Sequence, residues 1–120
     1  MNEPEWLTRA RAEGRILQEV TAKPTTPTDA SNEADFQSAV LMLARACGWL
    51  CYHTYDSRRS QAGFPDLVMV RDRVIYAELK STNGKATTAQ KEWLASLRAA
   101  GQEVYEWRPK DWAKIVEVLK

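Results

Sequence analysis

The chain is short of cysteine, has one histidine and contains no long apolar run, and each shortage excludes a class of protein. Cys47 and Cys51 are too few for a disulfide framework. With His53 they form a Cys-x3-Cys-x-His cluster, but a structural zinc site takes four ligands, and no further Cys or His is present. They read instead as small buried thiols, one at a helix end and one in a strand. The longest apolar run falls far below the ~20 residues of a membrane helix. No basic-then-apolar leader stands at Met1-Asn2-Glu3-Pro4-Glu5, so the expected setting is cytoplasmic. A net charge of +1 rules out a general polycation. Internal repeats are absent, and so is any obvious element for reading a base sequence.

What is present suits one soluble globular domain. At 120 residues, with 44% apolar and 28% charged side chains, the chain can bury a sizeable core. Glu5 to Val20 reads as an amphipathic helix with Trp6, Leu7, Ile16, Leu17 and Val20 on its apolar side, weakened by Gly14. Lys23-Pro24-Thr25-Thr26-Pro27-Thr28 breaks any helix, so residues 1–28 form an arm and linker and residues 29–120 the compact domain. Trp6 is then an anchor against a partner surface, whereas Trp49, Trp93 and Trp112 fit a core.

The domain opens with a helix capped by Ser31, whose Phe36, Val40, Leu43, Ala44 and Cys47 lie on one face and which Gly48 ends. Strands follow at Trp49 to Tyr55, Phe64 to Val70 and Arg73 to Lys80, with a polar loop before the second and a tight turn at Arg71-Asp72. Thr87-x-x-Gln90 is a capping box that opens a second helix with Trp93, Leu94 and Leu97 inward, and Gly101 stops it. Glu103 to Trp107 alternates as a fourth strand, and Lys110 to Leu119 is a last short helix. The order predicts an α/β fold with a four-stranded sheet flanked by helices.

The chemistry concentrates in Gly63-Phe64-Pro65-Asp66-Leu67 and Ala77-Glu78-Leu79-Lys80. Eleven residues separate Asp66 from Glu78, which fits two antiparallel strands returning to the same end. Glu78 and Lys80 project from the same face of their strand. Two carboxylates suit a hard divalent cation such as Mg²⁺, to which the Leu79 carbonyl can add an oxygen. Lys80 beside them can serve as a base or as an electrostatic clamp, and the residue type leaves both open. Glu33 shares the inward face of the first helix, where it is either a site residue or a partner of the helix dipole. Arg58, Arg59, Arg71, Arg73, Lys80, Lys85 and Lys91 against Asp56, Asp66, Asp72 and Glu78 give residues 53–91 a local excess of three positive charges, attractive to a phosphate backbone. His53, at a strand end, is either a phosphate contact or an ordinary solvated histidine.

These motifs resemble the PD-(D/E)XK nuclease superfamily, whose core runs αβββαβ. More narrowly, Gly63 to Leu67, Ala77 to Ser81 and Thr88-Ala89-Gln90-Lys91-Glu92-Trp93-Leu94 resemble the VRR-NUC (virus-type replication-repair nuclease) family in its stand-alone phage or bacterial form. The resemblance implies catalysis by Asp66, Glu78, Lys80 and Gln90. It implies a metal, Mg²⁺ with Mn²⁺ able to substitute, held by Glu33, Asp66, Glu78 and the Leu79 carbonyl. It implies DNA contacts from His53, Arg58, Arg59, Lys85 and Lys91. A homodimeric endonuclease acting on branched or structured DNA, in the manner of Holliday-junction resolvases, is the expected activity. The alternatives are a restriction-type enzyme and an inactive DNA-binding subunit.

Overall fold

The computed structural model describes residues 32–54 and 61–120. The arm read at residues 1–28, with Trp6, and the loop arginines Arg58 and Arg59 lie outside the described residues. Helix α1 spans Glu33–Ala46, and its cap is Asn32, one residue beyond the expected Ser31, which is itself outside the described residues. Asn32 Oδ1 accepts the Asp35 N–H at 2.8 Å, the bond that an Asx cap supplies to an otherwise orphaned amide. At the other end Gly48 takes φ +90°, a region open to glycine at little cost, and turns the chain into the sheet.

Strands β1 (Leu50–His53), β2 (Leu67–Val70) and β3 (Val74–Leu79) form an antiparallel meander, and β4 (Glu103–Trp107) adds in parallel beside β3. Helix α2 (Thr88–Ala99) supplies the crossover to β4, as a parallel connection requires. A 3₁₀ turn at Pro109–Asp111 then leads to α3 (Trp112–Leu119). The order and types match the sequence reading, and β4 has the expected bounds, but the first three strands are shorter. β2 starts at Leu67, not Phe64, because Pro65 has no N–H to give a ladder. Phe64 instead sets its ring edge-on to Trp93 at 5.2 Å and Tyr76 at 6.3 Å. The final helix likewise begins later than Lys110, its entry taken up by the proline-led 3₁₀ turn.

One sheet face carries the main core. Phe36, Val40 and Ala44 of α1 meet Leu67, Met69, Ile75, Ala77 and Leu79, with Ile115 and Leu119 of α3 closing the layer. Pleating sends Tyr76 and Glu78 to the opposite face, where Leu94 of α2 and Val104 are buried. Trp49 and Trp112 are buried as expected, and Trp93 is half-buried.

The β2–β3 hairpin corrects one sequence expectation. Arg71 and Arg73 do not crowd around the carboxylates. They sit at the far end of the sheet and hold the end of α3: Arg71 Nη1 donates to the carbonyls of Leu119 (2.9 Å) and Cys47 (3.1 Å), and Arg73 Nη2 to Val118 (2.9 Å). Both guanidinium groups lie over the Trp49 ring, at 4.3 and 5.2 Å from its centroid. Cations at a helix C-terminus satisfy its unpaired carbonyls and complement its dipole. Removing Arg71, Arg73 and Asp72 from the earlier seven bases and four acids leaves five against three in that stretch of sequence, a smaller excess.

Candidate active site

The β2–β3 register builds the site. Leu67 pairs with Ala77, so one step outward sets Asp66 opposite Glu78. The pairing of Thr54 N–H with the Asp66 carbonyl at 3.2 Å extends the β1–β2 ladder to the same level. Asp66 Oδ2 accepts the Leu79 N–H at 2.8 Å, which fixes the carboxylate against the third strand. Chain geometry alone therefore brings the two acids together.

Glu78 is 1% exposed, a rare environment for a carboxylate. Its Oε1 accepts a 3.4 Å bond from Gln90 Nε2, while its Oε2 is buried without a hydrogen-bond partner. Burial is the largest cause that pushes its pKa up to about 9; hydrogen bonding with Asp66 and the Asp66 charge add to it, and Lys80 opposes it. Two ionised carboxylates cannot hydrogen-bond to each other, since both only accept. The pair is satisfied either by a shared proton or by a cation. That orphaned oxygen, facing an acid already anchored to the backbone, fits a divalent metal.

Lys80 is 7% exposed, and its Nζ stands 4.0 Å from Glu33 Oε1. Its N–H joins the sheet through the Trp107 carbonyl at 2.9 Å. Glu33 is half-exposed and faces Lys80, and its charge also reaches Glu78. Among the described residues no three His, Cys, Asp or Glu side chains gather as a ready metal cluster; Asp66 and Glu78 stand together as a pair, and Glu33 stands beside the ammonium of Lys80.

Gln90 joins both of the tasks that its sequence position allowed. Its Oε1 accepts the Thr87 N–H at 2.8 Å in the capping box, and its Nε2 points to Glu78. Helix α2 is drawn in against the loop before Asp66 at Gly63, which has φ +91° and where a Cβ would come within 2.5 Å of the Ala89 backbone. Only glycine allows that approach.

The remaining site candidates are more peripheral. His53 ends β1 opposite Leu67, half-buried, with Nδ1 3.4 Å from Gln37 Nε2. Lys85 and Lys91 are exposed, one in the loop after Lys80 and one in the first turn of α2. Sequence reasoning missed Arg108, whose Nη1 donates to the carbonyls of Ser81 (2.8 Å) and Gly84 in that loop. The one available signal was the parallel β3–β4 pairing, which sets Trp107 beside Leu79 and thus the next residue beside Lys80.

Comparison with known proteins agrees with this arrangement. The VRR-NUC domain model matches residues 3–110, a span that includes most of the segment read as an arm. A solved structure titled VRR_NUC domain shares 24% identity over 71% of this chain and 94% of its own, with a TM-score of 0.60. Another, titled VRR_NUC domain protein, shares 21% identity over 72% of this chain and 84% of its own, with a TM-score of 0.55. At those identities the two structures speak for the fold. Among curated proteins none matches.

Proposed function

Because this chain belongs to the VRR-NUC domain family, a nuclease-type domain, we propose that it is a metal-dependent DNA endonuclease. One observation carries the reading: a buried Glu78 oxygen without a partner, set against Asp66 and close to an ammonium. A bound Mg²⁺, or Mn²⁺ in its place, would supply Lewis-acid polarisation of a phosphate oxygen and a more acidic water. Asp66 and Glu78 would hold it, with the Leu79 carbonyl as a further oxygen donor.

The side chains divide the remaining work. Lys80 holds the attacking water and offsets negative charge developing on the phosphoryl oxygens. Glu33, 4.0 Å away, keeps that ammonium oriented. Gln90 fixes the rotamer of Glu78 from α2. The water oxygen forms the new bond to phosphorus as the bond to the 3′ oxygen breaks. The attacking water gives up one proton to solvent and the departing oxygen takes one from it, leaving 5′-phosphate and 3′-hydroxyl ends. Lys85 and Lys91, both exposed, contact the phosphate backbone, joined by His53 and the loop arginines Arg58 and Arg59.

Branched or structured DNA is the proposed substrate and a homodimer the proposed working unit, because paired cuts need two sites related by symmetry. The decisive assay incubates purified protein with labelled duplex, nicked, forked and four-way DNA in Mg²⁺, Mn²⁺ or EDTA, with sedimentation run alongside. Metal-dependent cutting that favours the four-way substrate is expected. Cutting at one short sequence would make it a restriction-type enzyme, and binding without cutting an inactive DNA-binding subunit.

A further inference from the structure

We propose that Arg108 is a positioning residue for this site, acting through the loop of residues 81–86 on the Glu33–Lys80 pair. The inference rests on the nuclease reading above and assigns a role to a residue outside the motif.

The contacts form one continuous chain. Lys80 is bonded through its N–H to the carbonyl of Trp107, the last residue of β4, so Arg108 is the next residue of the chain beside the motif lysine. From there a single nitrogen, Nη1, donates to both Ser81 and Gly84. The Ser81 carbonyl also accepts the Gly84 N–H at 3.2 Å, so guanidinium and turn close the loop together. Gly84 lies against Glu33: a Cβ there would sit 3.3 Å from Glu33 Oε1 and 2.9 Å from Ser81 Oγ. That same Glu33 Oε1 is the atom facing Lys80 Nζ.

The physical need for such a wall follows from exposure. The Lys80 side chain is 8% exposed, whereas that of Glu33 is 51% exposed. A half-exposed carboxylate 4.0 Å from its partner gains little from the ion pair and readily leaves for water. The loop limits that escape, and the loop is held by Arg108. Arg108 is itself fixed, since its N–H donates to Asp111 Oδ2 at 2.9 Å and its carbonyl accepts the Asp111 N–H at 2.8 Å, with buried Pro109 between. The two N–H groups of a guanidinium nitrogen are set at a fixed angle that suits two carbonyls at once, where a lysine ammonium is a point charge with three rotatable donors on a flexible stem.

The test compares wild type with Arg108→Ala, Arg108→Lys, Glu33→Gln and the Arg108→Ala/Glu33→Gln pair. Readouts are cleavage kinetics, calorimetric Mn²⁺ affinity and thermal midpoint. Arg108→Ala should lower kcat about ten- to a hundredfold, the range for residues that orient others at a metal site. KM for DNA should hardly change, and Arg108→Lys should recover part of the loss. The double variant should be no worse than Glu33→Gln alone, and Mn²⁺ affinity should stay near wild type in both single variants, since Asp66 and Glu78 are intact. Wild-type kcat in Arg108→Ala, or losses that multiply in the pair, would overturn the inference. A loss in Arg108→Ala explained wholly by a lower thermal midpoint at the assay temperature would overturn it too. A wild-type protein that neither binds Mn²⁺ nor cuts any DNA would instead defeat the nuclease reading itself.

Discussion

Gln90 donates through Nε2 to Glu78 Oε1 at 3.4 Å while its Oε1 accepts the Thr87 N–H at 2.8 Å, so one amide caps a helix and steadies a buried acid. The two halves separate by substitution. Gln90→Glu keeps an acceptor for the cap, which glutamate fills as well as glutamine, but removes the donor to Glu78. Its thermal midpoint should stay near wild type while cleavage falls at least about tenfold, within the range for residues that support metal ligands. Gln90→Ala should lose both, with about 1 kcal/mol of stability gone as well. Equal cleavage by Gln90→Glu and wild type would reduce the residue to a cap.

The raised pKa of Glu78 has a consequence for stability without metal. Its folded value of about 9 exceeds the ordinary 4.5, because burial and Asp66 disfavour the charge. Between those two values the unfolded chain has released a proton that the folded chain retains. Stability therefore falls as pH rises through that window. Denaturation in EDTA should show a midpoint that drops from pH 5 towards pH 9. Added Mg²⁺ should restore more at pH 8 than at pH 5, since it favours the ionised pair. Glu78→Gln should flatten the slope and abolish the Mg²⁺ gain, and a metal effect that survives it would move the site elsewhere.

Lys80 offers a second separation. Lys80→Ala leaves Glu33 without its cationic neighbour and the proposed water without its donor. Cleavage should drop about a hundredfold or more, the scale for removal of a group that stabilises developing charge. Lys80→Arg keeps the charge but not the shape, since a planar fork cannot take the place of a compact ammonium at so buried a position. It should not rescue activity. Mn²⁺ binding by calorimetry should persist in both variants, because Asp66 and Glu78 are intact. If Lys80→Arg cuts like wild type, charge alone is what position 80 provides.

Asp66, Glu78 and Lys80 were legible because strand pairing is a local rule: an apolar run, a short turn and a second run dictate which residues face each other. The cap at Thr87 and the stop at Gly48 were legible for the same reason, each needing only a few neighbours in sequence. What escaped depends on long-range geometry. Arg71 and Arg73 lie within a few residues of the motif, yet a hairpin sends its turn to the opposite end of the sheet from its termini. Counting charges in a sequence window cannot register that reversal. Arg108 escaped for the converse reason, standing 28 positions after Lys80 but beside it through the parallel β3–β4 pairing. The capping box and the place at the site, expected of Gln90 on separate grounds, meet in one side chain because its amide has two ends.

The displaced arginines yield the last prediction. Arg71 is nearly buried, with a side chain 4% exposed, and it donates to Cys47 and Leu119 beside the Trp49 ring. Trp49 Nε1 donates to the same Leu119 carbonyl at 2.9 Å, so α1's exit, the hairpin and the end of α3 meet at one point. Arg71→Ala would leave those carbonyls short of a charged donor, at about 1.5–3 kcal/mol for a hydrogen bond of that kind. Thermal or urea denaturation should register the loss clearly. DNA affinity and its dependence on salt should not move, because a residue that touches no phosphate releases no counterion. Lys91→Ala should do the reverse, flattening the salt dependence by about one charge's worth with the thermal midpoint unchanged. A reduced salt slope in Arg71→Ala at intact stability would return the hairpin turn to the DNA-binding surface.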